Sequence, residues 1–422
     1  GLTYLHENHV DPDKGMVAYT TSDYNTGWMN GDIKGAFLSD TDDTDLVGSG
    51  ELFASPTLEG DVTDAGGGAY NFSWTSGNEA SLVVSNVLTA GRAYAVTFTI
   101  SNYVSGSLAV SLEAFANGGS YSANGTFTAY AVADGGDDIR LDRSGTTGSF
   151  TVSDISVQLA DEDRSVNNNG LIVNGTVTRS PVATGADLVA YSGFSASNYL
   201  EQPYNSALDF GTGDFCVMGW YYGGAVNGYF LDNRDTGQGG FALGINGASR
   251  LQLVPTNSAG SFTDVSGTDT VVSPTALTFF TALRRNGICE LYANGKLLRS
   301  QASAIDVNGT APLIIGAFAS GGIANPWSGS IALLRISATA PTAEQIKKIY
   351  EDEKVLFQEN AACTLYGTSD AVTALAHDSD TNLLHVGTSA GRSTFQGLRR
   401  VSNTTTAVGT AISASNGLVV EE

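Results

Sequence analysis

ICELYANGKLL, Ile288 to Leu298, alternates on its way into an Asn-Gly pair. Cys289, Leu291 and Ala293 fall on one face of a strand, with Glu290 and Tyr292 on the other. Asn294-Gly295 suits a two-residue hairpin, because both central positions of such a turn take positive φ. Lys296-Leu297-Leu298 then opens the return strand. Upstream, the chain from Phe279 feeds this hairpin. Downstream, PLIIGA (Pro312 to Ala317) and WSGSIALLRI (Trp327 to Ile336) read as two further strands around a Gly-rich loop.

Working outward, YNSALDFGTGDFCVMGWYY (Tyr204 to Tyr222) reads as an opening strand with Phe215 and Trp220 as its aromatics. FALGINGASRLQLV (Phe241 to Val254) reads as a middle hairpin. The order of these pieces, closed by WSGSI and a short helix, resembles a concanavalin A-like (laminin G-like) lectin sandwich over roughly Asp187 to Phe357. The resemblance implies a fold. Function stays open, because this sandwich serves lectins, enzymes, adhesion modules and spacers.

A separate β domain precedes it. Strands are expected at 70–76, 80–87, 92–103, 107–115, 124–133 and 149–159. In AYAVTFTI, Tyr94, Val96, Phe98 and Ile100 share one face of a half-buried strand. The order AGRAYAVTFTISNY, SLAVSLEAF, GSFTVSDISVQL is similar to jelly-roll carbohydrate-binding modules appended to glycan-degrading enzymes and phage proteins.

The expected organisation is all-β: two tandem antiparallel β-sandwiches, with one helix after the second and incomplete propeller-like β segments at both ends. The segments are 1–45 (the remnant of a preceding β domain), 46–160 (jelly roll), 161–340 (lectin-like sandwich), 341–360 (helix) and 361–422. Thr342 and Gln345 form a capping box after Pro341, and Ile346, Ile349, Tyr350, Leu356 and Phe357 make the helix's apolar stripe. DSDTN followed by LLHVGTSAG (Leu384 to Gly391) resembles one propeller blade. Short β segments are not stable alone. Each end is therefore expected to bury itself against the other end, another subunit or sequence outside this chain, and a homotrimer is favoured. The absence of an initial Met suggests a fragment or a processed product.

Composition bounds the rest. The chain has 422 residues, 51 of them Gly, only 15% charged, and a net charge of −23. Such a surface repels phosphate backbones and anionic membranes, which argues against nucleic acid. No apolar run is long enough to span a bilayer, and no signal-peptide pattern opens the chain. Three cysteines (Cys216, Cys289, Cys363) are too few for a disulfide framework and read as reduced core residues.

Catalytic sets are missing. Glucan-cleaving sandwiches resemble one another in an E-x-D-x-x-E strand that sets two carboxylates about 5–5.5 Å apart, and no such strand occurs here. His6, His9, His377 and His385 lack metal-ligand spacing. The chain therefore reads as a non-enzyme. Sugar binding needs an aromatic platform and planar polar groups. Asp232, Asn233, Arg234 and Asp235 in one loop and Trp327 in another supply them, unless Trp327 plugs the core. Asp232 and Asp235 also suit calcium. By resemblance to jelly rolls, Asp154 matches a structural calcium ligand, with Glu59 as a possible partner.

Tandem lectin-type sandwiches with a Gly/Asn/Thr-rich composition resemble a phage tail fibre or tail appendage. The resemblance implies a virion location after assembly in the host cytoplasm, host-surface polysaccharide as ligand, and other tail proteins as partners. The alternatives are an extracellular bacterial adhesin, the non-catalytic part of a larger polysaccharide-active enzyme, or a purely structural virion component.

Overall fold

A computed structural model gives the fold and describes residues 2–6 (backbone only), 16–76, 78–112, 116–133, 135–270, 277–369 and 371–422. His9, Gly15 and the stretch 113–115 lie outside these residues. His6 ends a strand, Leu2–His6, and so is not on a helix.

The deciding hairpin forms as its sequence dictates. Ile288–Ala293 pairs with Lys296–Ala302, and Asn294 and Gly295 take φ of 51° and 74°. Cys289 and Leu291 enter the core between two sheets, whereas Tyr292 enters a second core on the sheet's outer side. The sheet is thus covered on both faces. A nine-stranded sheet holds this hairpin, Thr278–Arg285, Phe215–Tyr222, Ser330–Ser337, Val189–Ser192 and Thr176–Pro181. The facing layer runs from Leu171–Asn174 through Leu313–Ile315 to Val265–Ser266. The all-β expectation of antiparallel sandwiches holds, and Ala343–Glu353 is the one α-helix among the described residues.

In the first sandwich, two expected strands merge into one. Ala93–Leu112 is continuous because its ladder with Ile139–Asp161 shifts register between Ser101, Ser105 and Ser107, with Gly106 at φ 85°. Bulges let both long strands bend from one sheet into the other. Phe72, Trp74, Val96, Phe98, Phe150 and Val152 fill the core between those sheets. The same ladder links the two sandwiches: Ala160 and Asp161 pair with Ile172 and Leu171.

Among the described residues, both ends pack partly within this chain, while Leu375, Val401, Leu418 and Val420 of the C-terminal segment stay exposed. Ile33–Phe37 pairs with Ser330–Ser337, and Leu46–Val47 pairs with Thr176–Pro181, so the N-terminal segment supplies strands to the second sandwich. Met16 and Trp28 join the outer core with Cys363 and Leu398. The ends also touch each other, with Asn25 Nδ2 donating to Cys363 O at 3.1 Å and Leu365 N to Thr21 O at 2.7 Å. The C-terminal segment forms a four-stranded antiparallel sheet, Val372–Asp378 through Arg399–Asn403, and a separate hairpin, Ile412–Ser415 with Leu418–Glu421. The strands at 33–37 and 46–47 therefore find their partners within this chain.

Candidate functional site

The two expected sugar-binding loops do converge, but by a different route. Asp232 ends strand Gly228–Asp232 with 0% exposure. Its Oδ1 accepts from Arg234 N and Nε, both at 2.9 Å, and its Oδ2 accepts from Arg234 Nη2 at 3.3 Å and Ala319 N at 3.1 Å. Burial pushes this carboxyl upward, while Arg234 opposes the shift. Every acceptor position is used, so Asp232 is a clamp and is unavailable to sugar or calcium. Asn233 is also buried, its Oδ1 accepting from Phe241 N at 2.7 Å. Asp235 is exposed and closes a local turn by accepting from Thr236 N.

Trp327 plugs the core. It is 0% exposed and meets Phe230 and Tyr221 edge-on at 4.8 and 5.5 Å. A side chain at Gly224 would collide with its ring. The tryptophan is therefore no platform. What the clamp presents instead is Arg234, held 5.2 Å above the Phe318 ring, with Tyr229 packed on Phe318 at 5.0 Å. Neither Tyr229 nor Phe318 stands out in the sequence, because their meeting depends on the two loops closing.

The expected calcium pairs do not fit a metal. Glu59 bonds Arg140 at 2.7 Å in one sheet of the first sandwich, while Asp154 lies in the other. Among the described residues, no group of three or more His, Cys, Asp or Glu is placed to hold an ion.

A concavity lies on the outer face of the nine-stranded sheet. It encloses about 450 Å³ over a floor of small residues, including Ser192, Ser330 and Ala332, with Tyr222, Leu277 and Phe357 as walls. Strand alternation explains it: Tyr221 points into the sandwich core, so Trp220 and Tyr222 point out. Trp220 is fixed by Phe357 at 4.5 Å and by its Nε1 donating to Glu353 Oε2 at 2.7 Å. Tyr222 stays 46% exposed. An exposed aromatic ring beside serine hydroxyls offers an apolar surface and hydrogen-bond partners in one cleft.

A third cleft, of about 290 Å³, sits where the sandwiches meet. Arg179 bonds Asp40 and Asp42 at 2.8 and 2.7 Å, and Arg164 bonds Asp40 at 3.4 Å. Asp161 accepts from Tyr191 at 3.3 Å. Burial and Asp40 push its carboxyl up to about 7 against the pull of Arg179 and Arg164. These groups mostly satisfy one another and fasten the N-terminal segment and both sandwiches.

Residues 194–347 match the family model described as the concanavalin A-like lectin/glucanases superfamily. No curated protein matches the chain. Among solved structures, the binding domain of Paraclostridial Mosquitocidal Protein 1 is similar at 14% identity and TM-score 0.40, over 54% of this chain and 61% of that one. Domain 4 of AbnA, a GH43 extracellular arabinanase from Geobacillus stearothermophilus solved with arabinotriose, is similar at 18% identity and TM-score 0.35, over 45% of this chain and 92% of that one. The Ruminococcus gnavus IT-sialidase CBM40 bound to alpha2,3 sialyllactose is similar at 15% identity and TM-score 0.28, over 36% and 92%.

Proposed function

We propose that the chain is a non-catalytic recognition protein that binds surface glycans in the groove of its second sandwich. The observation that carries this reading is the pairing of exposed Tyr222 with a floor of small hydroxylic residues. A sugar ring's C–H face stacks on the tyrosine, and its hydroxyls meet Ser192 and Ser330. The groove lies in the range of volumes that small ligands fill. The lectin-type family model over residues 194–347 supports the class of ligand.

The wider setting proposed is a phage tail fibre or appendage, with host-surface polysaccharide as the target and other tail proteins as neighbours. Its support is the tandem sandwiches and the acidic, Gly-rich composition. A homotrimer is the assembly this setting expects, since several weak sites on one particle gain avidity through effective concentration. A glycan array tests the reading. Binding by the wild-type chain that falls at least tenfold in Tyr222→Ala supports the groove. Binding lost instead in Arg234→Ala moves the site to the loop rim, and no binding at all rejects it.

A further inference from the structure

Strand register decides what the groove of the second sandwich can hold. Tyr222 pairs with Ser330 and Trp220 with Ala332. Tyr191 pairs with Ile331, which sets Ser192 beside Ser330 and Ala190 beside Ala332. Ser180 follows on the next strand, opposite Ala190. Tyr191, Tyr221 and Ile331 point into the sandwich core, so the residues flanking them face the groove. Its floor therefore carries two unlike rows. One runs Tyr222, Ser330, Ser192 and is hydroxylic. The other runs Trp220, Ala332, Ala190 and reaches a hydroxyl only at Ser180.

The second row is bordered by apolar groups. Trp220 spends its Nε1 on Glu353 and is covered by Phe357 at 4.5 Å. Val182 and Leu277 also line the groove and pack against the same outer core. Only the methyl side chains of Ala190 and Ala332 rise from the floor here, which leaves room above them. Among the described residues, the hydroxyls of Ser180, Ser192 and Ser330 make no hydrogen bond, and no charged side chain lines the groove. In a chain carrying 43 Asp and Glu and 20 Lys and Arg, this groove is a neutral patch.

We propose that the groove, on the reading that it is the glycan site, selects neutral sugars bearing an acetamido group, with the acetyl methyl seated over Ala190 and Ala332. An uncharged lining gives a carboxylate or ammonium no partner once water leaves. A plain hydroxyl over the alanines meets the same difficulty, since a buried hydroxyl without a partner is costly. A methyl gains there by burying apolar surface. The two rows lie about 6.7 Å apart along the strands, comparable to the reach across a pyranose from a ring hydroxyl to an acetamido methyl. Ring hydroxyls then meet Ser192 and Ser330. Ser180, at the end of the apolar row, both donates and accepts, which suits the amide. Ala190 is thus a specificity-determining residue.

A glycan array of matched sets, each acetamido sugar printed with its plain hexose and its uronic acid, tests this on the full chain, with calorimetric titration of the best-bound set. The acetamido member should bind about tenfold tighter than the hexose, and the uronic acid weakest of the three. Ala190→Val raises a larger side chain into the methyl's seat, and should erase that preference while hexose binding remains. Leu277→Ala, which opens the wall, should weaken the preference, and it decides alone if thermal melting shows Ala190→Val unfolded. The proposal is overturned if the hexose or the uronic acid binds as tightly as the acetamido sugar. It is also overturned if the preference survives in a folded Ala190→Val or, where it decides, in Leu277→Ala. In those cases a loss of binding in Tyr222→Ala leaves the groove itself as the glycan site. If Tyr222→Ala binds like wild type, or no glycan binds, the groove reading fails and this proposal fails with it.

Discussion

Arg335 and Glu353 form an ion pair inside the outer core, with side-chain exposures of 2% and 0%. The carboxylate takes four donors: both Arg335 Nη groups, Trp220 Nε1 at 2.7 Å and the Trp28 backbone N–H at 2.8 Å. Gly27 allows this approach, because a side chain there would strike both Arg335 and Glu353. One residue at the helix end thus ties together the lectin-like sheet, the helix and the N-terminal segment.

Removing that carboxylate strands a buried guanidinium. Glu353→Ala should lower stability by about 3–5 kcal/mol, read as a fall in the urea midpoint. Lys354→Ala, at the next position but exposed, should leave that midpoint essentially unchanged.

The junction carboxyl predicts a pH dependence. Asp161 is pushed from an ordinary 3.8 up to about 7. Between those values the folded chain holds a proton that the unfolded chain has released. Stability therefore falls as pH rises through this window, and the deficit is complete above about 7. Asp40, Glu162, Arg164, Arg179 and Tyr191 face this group, and the arginines soften the effect. Asp161→Asn should be more stable than wild type at pH 8, by about 1–3 kcal/mol. Near pH 4 the difference should vanish, as followed by denaturant titration at both values.

Trp327 and Tyr222 should separate stability from binding. Trp327→Ala empties a packed core site and should cost about 3–5 kcal/mol. Tyr222→Ala removes a half-exposed ring and should shift stability by less than about 1 kcal/mol. Thermal or denaturant melts of the two variants check this.

The three cysteines are buried, and burial raises each thiol, Cys289 to about 11. A thiol-specific colorimetric reagent should react with none of them in native buffer at pH 8 and with all three in denaturant. Prompt reaction of any one in native buffer would place it at the surface.

Local signals were legible. Asn294-Gly295 names its own turn, and the Thr342–Gln345 box closes as written, with Ile346 and Ile349 buried beneath it. Long-range juxtapositions were not. Glu353 looks like an exposed helix acid until Arg335 and two tryptophans from distant segments surround it. The groove floor comes from strands far apart in sequence, so Ser192 and Ser330 give no hint of meeting. Asp232 was misread for a different reason. An acid two residues before an arginine satisfies itself locally, and a carboxylate spent that way cannot serve a ligand.

The central claim is recognition by the second sandwich's outer groove without chemistry on the ligand. The most direct measurement is calorimetric titration of the wild-type chain and Tyr222→Ala with the best glycan from an array, followed by analysis of that glycan after prolonged incubation. The account predicts saturable binding by wild type, at least tenfold weaker binding by the variant, and glycan recovered intact. Equal binding by both chains, or recovery of cleaved glycan, would contradict it.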